Sequence, residues 1–272
     1  MGDHLDGARA KVQRAKEHFR DLCFRHQEFM GLNPYGVVVE HDPDTGERRW
    51  RARVSRSIPD TWSIVIGDVI HNLRAALDYL AWELWVKEGG KVTEPAATGI
   101  VFWVIDPTKP SNPKVAKAVR EGKVGAFGNA AVTLMERLQV DPGRKASPDP
   151  ELRPLWLLHQ LDIWDKHRRL NVVGGTEQLT HMTLGGPGED VHIEEMVIGG
   201  GDIRTVPIAD GTELLRLTLG PTTPDVQMQQ QFTGFVAFEQ EGPGKGEPVI
   251  PTLDQLISFV DEALTLFAPL LM

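Results

Sequence analysis

The segment Trp62-Ser-Ile-Val-Ile-Gly-Asp68-Val-Ile-His71-Asn72-Leu-Arg74-Ala-Ala-Leu-Asp78-Tyr-Leu-Ala-Trp82 constrains the fold more than any other part of the chain. At a helical rotation of about 100° per residue, it divides into two opposed faces. Ile66, Val69, Ile70, Leu73, Ala76, Leu77, Leu80 and Leu84 form a broad apolar stripe that other elements must cover. Asp68, His71, Asn72, Arg74 and Asp78 gather opposite, with Trp82 in line with them. An imidazole, a guanidinium, a carboxamide and two carboxylates supply enough chemistry for a site. They are also what a surface helix shows to water.

A second helix sharpens the choice. Arg153-Pro154 opens it, since proline is accommodated in a first turn, and the pattern runs to about Leu170. Asp162 with Lys166, and Asp165 with Arg169, stand at i,i+4 spacing. Leu155, Trp156, Leu157, Leu158, Leu161, Ile163 and Trp164 surround most of its axis, which predicts a central helix. Charges on such a helix must be paired or face a polar cavity. If the two charged faces meet, they enclose imidazoles, carboxylates and arginines, walled by Trp62, Trp82, Trp85, Trp156 and Trp164. That is either a site with shifted pKa values or a salt-bridge network that only sets helix register.

The rest of the chain frames these helices. Residues 3–31 lack proline and read as one long helix, with Leu5, Ala8, Val12, Ala15, Phe19, Leu22 and Phe29 as its apolar series, ended at Asn33-Pro34. Val37-Val38-Val39 and Trp50–Val54 flank Asp42-Pro-Asp-Thr-Gly46, a hairpin signature within residues 36–58. Ile100–Ile105 is a short apolar run with strand character, and helices are expected near 113–121 and 128–139. Beyond Gly174 the chain turns to short β-like runs, at Leu179–Leu184, Val191–Val197, Leu214–Leu219 and Phe232–Phe238. Thr252-Leu-Asp-Gln255 has the pattern of a capping box for a last amphipathic helix. The expected fold is α+β. Residues 1–172 would form a helical bundle carrying the hairpin, and 173–272 a β-rich part whose terminal helix packs back on the bundle.

Composition narrows the function. No apolar run reaches the ~20 residues of a membrane span, and the first residues lack a signal-like hydrophobic core. One cysteine, Cys23, forbids an internal disulfide and suits a reducing cytoplasm. A net charge of −9 disfavours broad nucleic-acid binding, although a local basic surface can still act. Arg49, Arg51 and Arg53 form such a row on the hairpin, with Trp50, Ala52 and Val54 turned inward. The row either grips phosphates or pairs with Glu40, Asp42, Asp44 and Glu47. The glycine runs at 185–188 and 199–201 match no nucleotide-binding fingerprint, and His181 and His192 stand singly.

His71 and His167 are the acid/base candidates, because imidazole titrates near neutrality. Arg74 and Arg168 are candidate charge stabilisers. Asp78 and Asp165 would orient the histidines, and Asn72 completes the set. This combination fits metal-independent phosphodiester cleavage, with Arg49, Arg51 and Arg53 as substrate contacts. No His-Glu-x-x-His and no histidine pair at i,i+4 occurs, so no metal or cofactor is assigned. A metal held by Asp68, His71, Asp78, Asp162 and Asp165 is the weaker chemical alternative. A non-enzymatic interaction or dimerisation protein is the other.

His71-Asn-Leu-Arg-Ala-Ala-Leu-Asp-Tyr-Leu, followed later by Asp165-Lys-His-Arg-Arg-Leu, resembles a group of uncharacterised bacterial proteins with an "HNLRxALDxL" helix and a "DKHR" helix. The resemblance covers those two helices and implies no activity. More distantly, the helical plan with inward polar residues is similar to the HEPN superfamily, bundles that often cleave RNA without metal. That likeness implies a nuclease, in a bacterial defence or toxin–antitoxin setting, with RNA, a protein partner or a second copy of the chain as candidate partners. The superfamily's Arg-to-His spacing recurs here as Arg20…His26 and Arg153…His159. Neither pair sits late in the bundle as the superfamily pattern requires.

Overall fold

The computed structural model describes residues 3–91, 99–106, 127–140, 153–170, 172–177, 182–184, 193–198, 208–219, 228–230, 233–239 and 241–272. In chain order the elements are α1 (Asp6–Gly31), β1 (Tyr35–His41), β2 (Glu47–Val54), α2 (Thr61–Lys87), α3 (Gly128–Val140), α4 (Pro154–His167), β3 (Val172–Glu177), β4 (Met182–Leu184), β5 (Ile193–Ile198), β6 (Glu213–Leu219), β7 (Met228–Gln230), β8 (Thr233–Phe238) and α5 (Val249–Leu271). The α+β class expected from the sequence is the one observed. Among the described residues, no helix is long and apolar enough to cross a membrane.

Contacts divide the chain into two compact units. One holds residues 1–23, 61–170 and 250–272; the other holds 24–60 and 171–249. This differs from the expected division at 172/173, because the hairpin joins the strands rather than the helices. Distant hydrogen bonding decides the matter, since β2 pairs with β6, far along the chain, in a register running from Glu47↔Thr218 to Trp50↔Leu215. The last helix groups with the bundle residues.

In the helical unit, the predicted stripe of α2 is fully realised: Ile66, Val69, Ile70, Leu73, Leu77 and Leu80 are completely buried. Burying a side chain of this kind stabilises by about 1.5–3 kcal/mol, so this stripe is a substantial part of the unit's core. The α1 series also faces inward through Leu5, Ala8, Val12, Ala15 and Leu22. Asn33, at a left-handed φ of 51°, follows the helix end as its Asn-Pro sequence foretold. Two expectations are corrected here. Ile100–Ile105 forms no strand, because side chains satisfy its backbone in place of a ladder. Asp78 accepts from the Phe102 N–H at 2.9 Å, and Gln139 accepts from Ile105 N–H and donates to Trp103 O. The last helix starts a turn before Thr252, which is buried within it rather than capping it. Pro251 lies in that first turn, where its missing N–H leaves no bond unmade.

In the β unit, a four-stranded antiparallel sheet has the order β1-β2-β6-β5, with two-stranded ribbons β3–β8 and β4–β7. Trp50 and Ala52 are buried on the sheet's inner face, as alternation predicts. Gly174 permits the Tyr35 ring to lie against β3, since a Cβ there would meet that ring at 2.8 Å. The expected helix at 113–121, the two glycine runs, His181 and His192 lie outside the described residues.

Candidate functional site

The charged faces of α2 and α4 meet within the helical unit. Close approach is possible because Gly67 has no side chain: a Cβ there would stand 2.6 Å from both oxygens of Asp165. The apolar arc of α4 drives the contact through Leu155, Leu158 and Leu161, all buried.

Asp162 is the centre of the arrangement. It is only 3% exposed, yet it carries a carboxylate. Its Oδ2 accepts from Lys166 Nζ at 2.6 Å, and its Oδ1 lies 3.5 Å from His71 Nδ1. The lysine and histidine side chains are themselves more than half exposed, so a buried carboxylate holds a solvent-facing ammonium and a solvent-facing imidazole. Removing a carboxylate from water is costly unless such partners compensate it. Helical phase explains its burial, because Asp162 falls between Leu155 and Leu158 around the α4 axis.

Arg74 lies at the edge of the polar arc of α2 and is 6% exposed. It pairs with Asp78 at 2.9 Å, one turn on, and donates to the Phe102 carbonyl at 2.6 Å. Its second terminal nitrogen is buried without a hydrogen-bond partner. Burial pushes the Asp78 carboxyl up, against the opposing pull of Arg74 and of the Phe102 N–H. Asp165 is also raised, first by burial and then by the Asp162 and Asp68 carboxylates.

His159 also belongs to the cluster, although its residue type alone does not mark it out in the sequence. It is half-buried, its Nδ1 has no hydrogen-bond partner, and its ring stands 5.9 Å from that of Trp156. Burial lowers its pKa below the ordinary 6.5, and the positive charge of Arg74 adds to the effect. Its imidazole is therefore held neutral at physiological pH. The available signal was phase: His159 lies about 60° from Asp162 around the helix, whereas His167 lies about 140° away.

The predicted residues fare differently. His71, Arg74, Asp78 and Asp165 come together with Asp162 and His159. Asn72 sits beside them, but its amide donates to Asp68 O of its own helix at 2.8 Å. His167 and Arg168 are exposed at the end of α4, with the Arg168 guanidinium 4.8 Å from the Trp164 ring. The expected helix end at Leu170 comes earlier, for Arg168 is already extended. The predicted tryptophan wall is also dispersed. Trp62 and Trp85 are core residues, and Trp82 lines a cleft of about 390 Å³ with His4, Gly7, Ala8, Tyr79 and Glu83.

Arg49, Arg51 and Arg53 belong to the β unit, and two of them are matched by acids. Arg49 pairs with Glu47, and Arg51 donates to Glu40 at 2.9 Å and lies 3.6 Å from Glu213. Arg53 is exposed near the end of β2. Among the described residues, no three His, Cys, Asp or Glu side chains converge to hold a metal ion. Comparison with protein families, curated proteins and solved structures found no match to this chain, so the chemistry rests on the α2–α4 cluster itself.

Proposed function

We propose that the α2–α4 cluster is an acid–base site for metal-independent phosphodiester cleavage of the HEPN-like kind, with RNA as substrate. One observation carries this reading: the buried Asp162 carboxylate lies 3.5 Å from the imidazole of solvent-facing His71. A buried carboxylate behind an accessible imidazole fixes the ring's orientation, so that one ring nitrogen is held toward the substrate for proton transfer.

His159 replaces His167 as the second imidazole. Being held neutral, it suits the base that takes the proton of a ribose 2′-hydroxyl. The 2′-oxygen then bonds to phosphorus, the bond from phosphorus to the 5′-oxygen breaks, and His71 gives that oxygen its proton. The products are a 2′,3′-cyclic phosphate and a 5′-hydroxyl. The positive charge of Arg74, which already acts on His159, also favours the charge that builds on the phosphorane. We place this activity in the cytoplasm, in a bacterial defence or toxin–antitoxin setting.

A second reading has its own support. Arg74 already engages Asp78 and the Phe102 carbonyl, which makes the network a brace between α2 and the segment around Phe102. Cleavage of labelled RNA oligonucleotides in EDTA separates the two. The nuclease reading expects cyclic-phosphate products, and losses of about 100-fold or more for His71→Ala and His159→Ala with little change in melting. A wild-type protein that cleaves no RNA, or histidine variants that retain full activity, would remove the nuclease reading. An Asp162→Asn variant that melts early in a protein without activity would establish the brace.

A further inference from the structure

We infer that β1 is a self-pairing edge, through which two copies of this chain join their sheets into one continuous antiparallel sheet. This inference is independent of any activity of the α2–α4 cluster.

Among the described residues the edge is open, and its hydrogen-bonding direction follows from bonds at its two ends. Asp42 N–H donates to Glu47 O, and Ser55 N–H donates to Pro34 O, so even-numbered residues of β1 bond to β2. In an antiparallel ladder this alternates strictly, and Tyr35, Val37, Val39 and His41 point their N–H and C=O groups outward. The β2 strand agrees. Ala52 N–H donates to Thr212 O and Ala52 O accepts from Gly211 N–H, on the β6 side. β1 ends the sheet order, and no strand of the described residues pairs with its outer side.

The side chains along this edge are apolar and uncovered. Val37, Val38 and Val39 are 36%, 42% and 52% exposed. Edge strands are ordinarily protected by lysine, proline or a bulge. β1 contains neither residue, and its register with β2 runs unbroken from Tyr35↔Val54 to His41↔Arg48.

A second copy is the occupant that fits. Antiparallel pairing centred on Val38 sets Val37 opposite Val39 of the other copy, and Tyr35 opposite His41, so every outward group on both strands finds a partner. Val37 and Val39 are the cross-strand neighbours of Ala52 and Trp50, so their pairing extends the buried face of the sheet. The single carboxylate, Glu40, falls opposite Gly36 and is already paired with Arg51. No like charges oppose each other in this register, which would otherwise be destabilising.

Sedimentation equilibrium on the full chain tests the inference, with dimer expected for the wild type. Val39→Pro removes one outward N–H from each copy without touching the β1–β2 bonds, and should raise the dissociation constant about tenfold or more. Val38→Lys brings two ammonium groups face to face at the centre and should have at least as large an effect. Its exposed position keeps the test valid even if the proline variant fails to fold. Register is read in a Cys23→Ser background. Val38→Cys, at a non-hydrogen-bonded pair, should form an intermolecular disulfide on mild oxidation, whereas Val39→Cys, whose mate is Val37, should not. A wild-type chain that stays monomeric at all concentrations overturns the inference. So does a dimer that tolerates both Val39→Pro and Val38→Lys, or one in which Val38→Cys does not cross-link.

Discussion

The hairpin arginines and the α2–α4 cluster look alike as strings of charge, and the structure treats them oppositely. On the hairpin, Arg49 and Arg51 find acids at the exposed surface of the sheet, where water and salt screen each pair. Between the helices, Asp162 and Arg74 sit in the core with a few percent exposure, where the same charges interact through a poorly screening medium. The difference shows in the titrating groups. Asp78, Asp165 and His159 are all displaced, and burial is the leading cause in each case. Identical residue types thus become either a screened surface network or a buried cluster with displaced pKa values, according to how much water reaches them.

The sharpest way to break this contrast is Arg74→Ala. It leaves Asp78 without its cation and the Phe102 carbonyl without its donor, and should destabilise the helical unit by about 3 kcal/mol. Thermal or urea unfolding followed by tryptophan fluorescence measures it; a cost below about 1 kcal/mol would mean the guanidinium is effectively solvated.

A second test uses pH. The folded pKa of His159 is lower than its unfolded value of 6.5, so protonation favours the unfolded chain. The stability contributed by its neutral form is present above 6.5 and is lost as pH falls through the folded value. Stability measured across that window should slope downward on acidification in the wild type and be flatter in His159→Gln.

Asp165 has the opposite sign. Its folded pKa is raised, so its ionised form weakens the folded state at neutral pH, and that cost disappears below the ordinary carboxylate value of 3.8. Asp165→Asn is therefore expected to raise the melting temperature modestly at pH 7 and to have no effect in strong acid. Equal gains at both pH values would place the effect in packing rather than charge.

The smallest effect belongs to the hairpin. Arg51→Ala should cost no more than about 1 kcal/mol, and less in high salt, because its partners are partly exposed. A cost that matches Arg74→Ala and ignores salt would erase the distinction between the regions.

Much of the secondary structure was legible because it is local. The apolar stripe of α2, the inward series of α1 and the alternation of Trp50 and Ala52 all follow from periodicity, and they are buried as read except for Phe19, which is only partly covered. Ile100–Ile105 misled, since its strand-like composition says nothing about whether a neighbouring strand exists; here Asp78, Arg74 and Gln139 serve its backbone instead. The site was half legible. His71, Arg74, Asp78 and Asp165 follow from the polar faces, whereas a residue's type, which made His167 a candidate, does not say that His159 is the half-buried imidazole of α4.

By itself, the order of residues determined which segments must be helices or strands and which faces must be hidden, because those properties depend on side chains three or four positions apart. It could not determine which ionisable groups lose their water, nor that residues 47–50 would pair with 215–218. Solvent exclusion and long-range hydrogen bonding are properties of the assembled units. Only packing turned Asp162 from one acid among many into a buried anion facing His71.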